Sequence, residues 1–135
     1  MSLLKKWFDT DKKSSEPKSI QNQPADTFWI PLTSLDQLAD WNDQQADPIY
    51  VFKHSTSCGI SKMVLKDLTQ RLSAQRGPGQ YFLLHLIEYR AISNELAARF
   101  GVVHQSPQML KIEQGSCTLN DSHYSILDHT WSGWC

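Results

Sequence analysis

Apolar positions along this chain alternate between short continuous runs and stripes at helical spacing. Phe28-Trp29-Ile30 is a short apolar run ending at Pro31 and reads as a strand. Thr33 or Ser34 is placed to cap a helix whose apolar face is Leu35, Leu38 and Ala39. Pro48 opens Ile49-Tyr50-Val51-Phe52, a run with the length and composition of a buried strand. After the segment His54 to Cys58, the residues Ile60, Val64, Leu65, Leu68 and Leu72 recur at helical spacing until Gly77-Pro78 stops them. Tyr81 to Ile87 is a second, longer apolar run, continuous enough for a central strand. Ile92, Leu96, Ala97 and Phe100 form the next stripe, closed by Gly101 as a C-terminal cap. Met109 to Glu113 and Cys117 to Asn120 flank Gly115-Ser116 and predict a hairpin. A last helix is expected from about Ser122 to Thr130.

The predicted order is β-α-β-α-β-α-β-β-α. Strand–helix alternation gives three parallel strands joined by right-handed crossovers, and the closing hairpin adds an antiparallel pair. The expected class is α/β, a thioredoxin-like mixed sheet of about five strands with helices on both faces. Residues Thr10 to Asp26 are polar, with Ile20 their one large apolar group. Such a segment cannot offset its ordering entropy, so residues 1–26 are read as a tail or linker and 27–135 as the domain. Within the tail, Leu3, Leu4, Trp7 and Phe8 stand at helical spacing, and a short helix packed on the domain accounts for them better than a membrane-surface turn.

Composition adds mostly exclusions. The formal net charge is −1, which gives no pull toward nucleic acid or an anionic membrane. No apolar run approaches the roughly 20 residues of a membrane span, and no apolar stretch follows Lys5 and Lys6 as in a secretory signal. The expectation is a cytoplasmic protein with no nucleic-acid or membrane partner. The three cysteines, 58, 117 and 135, are odd in number and widely spaced, unlike a secreted disulfide scaffold. They form no CxxC pair and no zinc-ligand spacing, so neither a metal nor a resident cofactor is expected.

One thiol has a distinctive position. Cys58 stands where the second strand ends and the second helix begins, and the positive end of a helix with its unpaired N–H groups favours thiolate over thiol. Thiolate is the attacking species in disulfide exchange. Gly59 permits close approach of a partner. A resolving cysteine would stand three residues on, where this chain has Ser61, so attack should end in a mixed disulfide. Position alone also fits a buried, inert cysteine. Pro107, just before the fourth strand, is a candidate for a cis peptide bond that holds a loop against the nucleophile, against the alternative of an ordinary trans proline opening an edge strand. Cys117 reads as a structural thiol and Cys135 as a terminal one. The five histidines are scattered, with His54 and His123 the candidates for proton transfer and loop hydrogen bonding the commoner role.

The residues also resemble a family. Phe52-Lys53-His54-Ser55-Thr56-Ser57-Cys58-Gly59-Ile60-Ser61 is similar to the active-site segment of the YtxJ family, the monothiol bacilliredoxins of the bacillithiol system. So are Ser93-Asn94 with Phe100-Gly101-Val102, His104-Gln105-Ser106-Pro107-Gln108, and Ser122-His123-Tyr124-Ser125-Ile126. The similarity runs from roughly Phe28 to His129; it departs from the family at Gly59, where proline is usual. The resemblance implies that Cys58 attacks a protein–S–S–bacillithiol bond and takes the small thiol onto itself, with bacillithiol as co-substrate and bacillithiolated client proteins as partners. It places Thr56 and Ser57 beside the sulfur, and Ser106 and Pro107 as a backbone edge for an extended substrate. Ser61 is expected either to donate to the thiolate or to serve only the first helical turn. The competing function is a non-catalytic binding or redox-sensing module on the same fold. An iron–sulfur role is disfavoured by the absence of a Cys-Gly-Phe-Ser arrangement.

Overall fold

The run Ile49–His54 forms the middle of the sheet because every one of its six residues is buried, as a strand covered on both faces requires. The computed structural model describes residues 28–131. Five strands line up in the order β1-β3-β2-β4-β5: β1 (Ile30–Pro31), β2 (Ile49–His54), β3 (Gln80–His85), β4 (Gln108–Glu113) and β5 (Ser116–Ser122). β1 and β2 both run parallel to β3, while β4 is antiparallel to β2 and to β5. Three parallel strands and a closing hairpin are what the alternation predicts.

Side chains alternate between two cores. Ile49, Val51, Phe82, Leu84, Leu110 and Ile112 face helix α2 (Arg90–Phe100) and a short 3₁₀ helix (Leu35–Asp40). Tyr50, Phe52, Tyr81, Leu83 and Met109 face helix α1 (Gly59–Gln75) and a second 3₁₀ helix (His123–Asp128). Helices therefore cover both faces of the sheet, and none among the described residues is long and apolar enough to cross a membrane.

Three elements differ in detail from the sequence expectation. The first strand pairs only over Ile30–Pro31, because Trp29 leaves the sheet edge to bury its ring and donate Nε1–H to Thr69 Oγ1 at 2.8 Å. The first and last helices are six-residue 3₁₀ turns. The first starts at Ser34, which forms a reciprocal capping box with Gln37. On α1 the buried stripe is Ser61, Val64, Leu68 and Leu72, and Ile60 is left exposed, since at 3.6 residues per turn Ile60 points about 100° away from Ser61. The hairpin turns at Gln114-Gly115, both at positive φ (49° and 83°), with one register shift after Lys111. A Cβ at Gly115 would lie 3.2 Å from backbone atoms of Asn42 and Asp43, so the turn also packs closely on the loop before β2. The tail, its helical stretch and Cys135 lie outside the described residues.

Candidate active site

The site is built on the end of β2. After His54 the chain turns tightly: Ser55 Oγ meets Ser57 Oγ at 3.1 Å, and the Cys58 N–H donates to the Ser55 carbonyl at 3.1 Å. Cys58 is the N-cap of α1, in extended conformation (φ −109°, ψ 121°), with its carbonyl accepting the first helical bond from Lys62 N–H. Its thiol is free, partly exposed, and makes no capping bond. The unpaired amides of the helix start therefore remain available to a negative charge placed there. Thr56, Ser57 and Gly59 are exposed around it, and a Cβ at Gly59 would meet nothing within 4 Å.

Ser61, three residues on, is fully buried. Its Oγ accepts the Ser55 N–H at 3.1 Å and lies 2.7 Å from His54 Nδ1. Either tautomer of a neutral His54 completes this pair: Oγ–H donates to a bare Nδ1, or an Nδ1–H donates to the second lone pair of Oγ. Burial, then the neighbouring His85 and Lys62, push the His54 pKa down to about 4, which keeps the ring neutral near pH 7. Ser61 thus bonds Ser55 and His54 at the end of β2.

The loop before β4 closes the other side. The Ser106–Pro107 peptide is cis, as expected. Gln108 pairs with Lys53 across β4 and β2, which sets Pro107 at the level where β2 gives way to the Cys58 turn. The backbone edge expected from both residues is narrower. The Pro107 carbonyl accepts the His123 N–H at 3.0 Å, so Ser106 alone keeps a main-chain N–H and C=O with no hydrogen bond among the described residues. His123 contributes that backbone N–H, and its exposed ring has no hydrogen-bond partner among the described residues. Cys117 is half-buried in β5 and donates to the Leu119 carbonyl at 3.4 Å; burial pushes its pKa above the ordinary thiol value, as suits a structural thiol.

A profile of the monothiol bacilliredoxin BrxC family matches residues 30–130. The chain belongs to this family. Solved structures agree on the fold. A candidate oxidoreductase with a thioredoxin fold is 26% identical, with a TM-score of 0.64 over 73% of this chain and 86% of the other. Mitochondrial thioredoxin 3 of Saccharomyces cerevisiae, in its oxidized form, is 20% identical with a TM-score of 0.57, over 70% of this chain and 83% of that one. Thioredoxin NaTrxh of Nicotiana alata is 18% identical with a TM-score of 0.59, over 76% and 93%. A thiol redox function follows from the family, and the bacilliredoxin carries its single cysteine of the family segment at the start of α1.

Two features of the site were not read from sequence. Lys53 is fully buried at the end of the central strand, where its lysine identity in an apolar run was the one available signal. The second is apolar exposure. Leu35, Ile60, Met63, Ile87, Val103 and Tyr124 are the exposed large apolar residues among those described. Each follows β1, β2, β3 or β5, or precedes the antiparallel β4, so all six lie at the Cys58 end of the sheet. Tyr124 and Met63 touch there, with the phenol donating to the thioether sulfur at 3.9 Å.

Proposed function

We propose that this bacilliredoxin removes bacillithiol, or a similar low-molecular-weight thiol, from mixed disulfides on client proteins. The Cys58 thiolate attacks the small-thiol sulfur of protein–S–S–bacillithiol. A new Cys58–S–S–bacillithiol bond forms as the old disulfide breaks, and the client cysteine leaves as its thiolate. An external thiol then attacks the adduct and regenerates Cys58, so every step is a two-electron exchange. The observation that carries this reading is the pairing of Cys58, free and accessible at the start of α1, with a buried Ser61 that stands at the resolving position and is already committed to His54 and Ser55. The exposed Thr56, Ser57 and Gly59 border the space the captured thiol would fill, and the unpaired Ser106 main chain offers an edge for an extended client segment.

The test is release of bacillithiol from a bacillithiolated client, followed by client mass. Cys58→Ser should abolish release, while a Cys117→Ser, Cys135→Ser double variant should keep most of it. Turnover by Cys58→Ser, or a folded wild type that releases nothing, would favour a non-catalytic binding module.

A further inference from the structure

The central strand carries an ammonium group that the exchange chemistry above does not use. Lys53 is completely buried on the α2 face of β2, a position where an unpaired charge is costly. Among the described residues its one hydrogen-bond partner is His104 Nδ1, at 3.4 Å. Ser93 Oγ, from α2, meets the same nitrogen at 3.2 Å. His104 belongs to the segment between α2 and β4 that ends in Ser106–Pro107. Gln108, the register partner of Lys53, ties this segment to itself by donating Nε2–H to the Val103 carbonyl at 2.9 Å. Gln108 Oε1 and Ser106 Oγ are buried without partners among the described residues. The segment thus arches over Lys53 and is held to the sheet by two side chains, Lys53 through His104 and Gln108 through the Val103 carbonyl.

We infer that Lys53 is a positioning residue: through His104 it fixes the arch that sets Ser106 beside Cys58 for an extended disulfide substrate. This rests on the exchange reading of Cys58 and adds a residue to it. The pair is complete only when the amine is charged and the imidazole is neutral. Burial holds Lys53 down to about 8, with Cys117 of β5 acting weakly in the opposite direction. Burial, Lys53 and then Arg90 at the start of α2 hold His104 below its ordinary value. Among the described residues no carboxylate acts on either group. As pH rises through about 8 the amine becomes a weaker donor. As pH falls far enough to protonate His104, two cations face one another and the contact is lost.

The experiment compares two rates across roughly pH 6 to 9.5, a span that contains the Lys53 titration. One is exchange with a peptide-borne mixed disulfide, which needs the arch. The other is alkylation of Cys58 by iodoacetamide, which does not. In the wild type the ratio of exchange to alkylation should fall above about pH 8. Lys53→Met, which keeps the buried stem, should lower that ratio at least about tenfold at pH 7.5, a loss of about one factor of ten in transition-state binding, and flatten its pH dependence. Lys53→Met folded by circular dichroism with an unchanged ratio and profile would overturn the inference. Should Lys53→Met not fold, His104→Ala, which removes an exposed loop side chain, carries the same expectation and the same refutation. Nitrogen NMR of the His104 ring gives a readout free of activity: Nδ1 should be unprotonated in the wild type, and the ring should titrate higher in Lys53→Met. An unchanged ring titration would overturn the contact even if exchange itself were absent, whereas absent exchange with the NMR shift intact would count against the Cys58 reading alone.

Discussion

At the scale of single residues, the site depends on which polar groups are already satisfied. Ser61 is committed on both sides, so a thiol there would have to displace bonds to Ser55 and His54. Ser61→Cys should cost about 1–3 kcal/mol in denaturant unfolding, the range for leaving buried groups unpaired. Given an oxidised small thiol, it should also close an internal disulfide with Cys58 by expelling the captured thiol in reduced form, detectable as a loss of two hydrogens in intact mass with no small-thiol adduct. His54 gives a pH signature. Its folded pKa of about 4 lies below the unfolded value near 6.5, so the unfolded chain takes up the proton first as pH falls. The stability tied to the neutral ring is full above about 6.5 and is lost through about 4, amounting to about 3 kcal/mol over the window. His54→Asn, which retains an acceptor for Ser61, should remove that part of the acid slope in urea unfolding at successive pH values; an unchanged slope would contradict the buried neutral histidine.

At the scale of elements, the strand–helix order was legible because the two central strands, β2 and β3, carry continuous apolar runs and each long helix repeats its apolar residues with the right period. Helix type at the two ends was not legible. Six residues give too few turns for spacing to separate an α-helix from a 3₁₀ turn, and caps such as Ser34 serve both. Nor could periodicity show that Ser61, not Ile60, begins the buried stripe of α1, since both stand at helical distances from Val64. The start of that helix yields a clear expectation. Gly59 is its first residue, has free space at Cβ, and follows Cys58 in the extended conformation a proline requires before it. Gly59→Pro should therefore raise stability by about 0.4–1 kcal/mol and leave the fold unchanged. Thermal unfolding checks it, and a lowered melting temperature would mean that the helix start needs the freedom of glycine.

At the scale of the whole molecule, one end of the sheet gathers the free thiol, the unpaired Ser106 main chain and the exposed large apolar residues. Their convergence was hidden in the sequence, where Leu35 and Tyr124 stand 89 positions apart, one in the apolar face of the first expected helix and the other in the last. Parallel strands bring their following loops to a common end, and only the sheet order shows that β5 shares it. Nothing so apolar is needed to receive a small hydrophilic thiol, so this rim suits a protein client. Met63→Lys with Tyr124→Lys should slow exchange with a client protein by about tenfold or more, on the scale of lost interface anchors, while exchange with a small disulfide stays within about twofold, as expected when the reacting group itself is untouched. Equal slowing of both would place these residues in the chemistry or in the stability of α1 and not in client contact.

The captured group itself decides whether this is a monothiol exchange protein. The protein is treated with oxidised bacillithiol or oxidised glutathione, and the mass of the peptide bearing Cys58 is read before and after adding a reducing thiol. A bacillithiol adduct should accumulate on Cys58, persist because Ser61 cannot expel it, disappear when external thiol is added, and form in preference to the glutathione adduct. Failure of Cys58 to take either adduct, under conditions where free cysteine reacts, would contradict the exchange mechanism, and equal capture of both thiols would contradict the bacillithiol assignment.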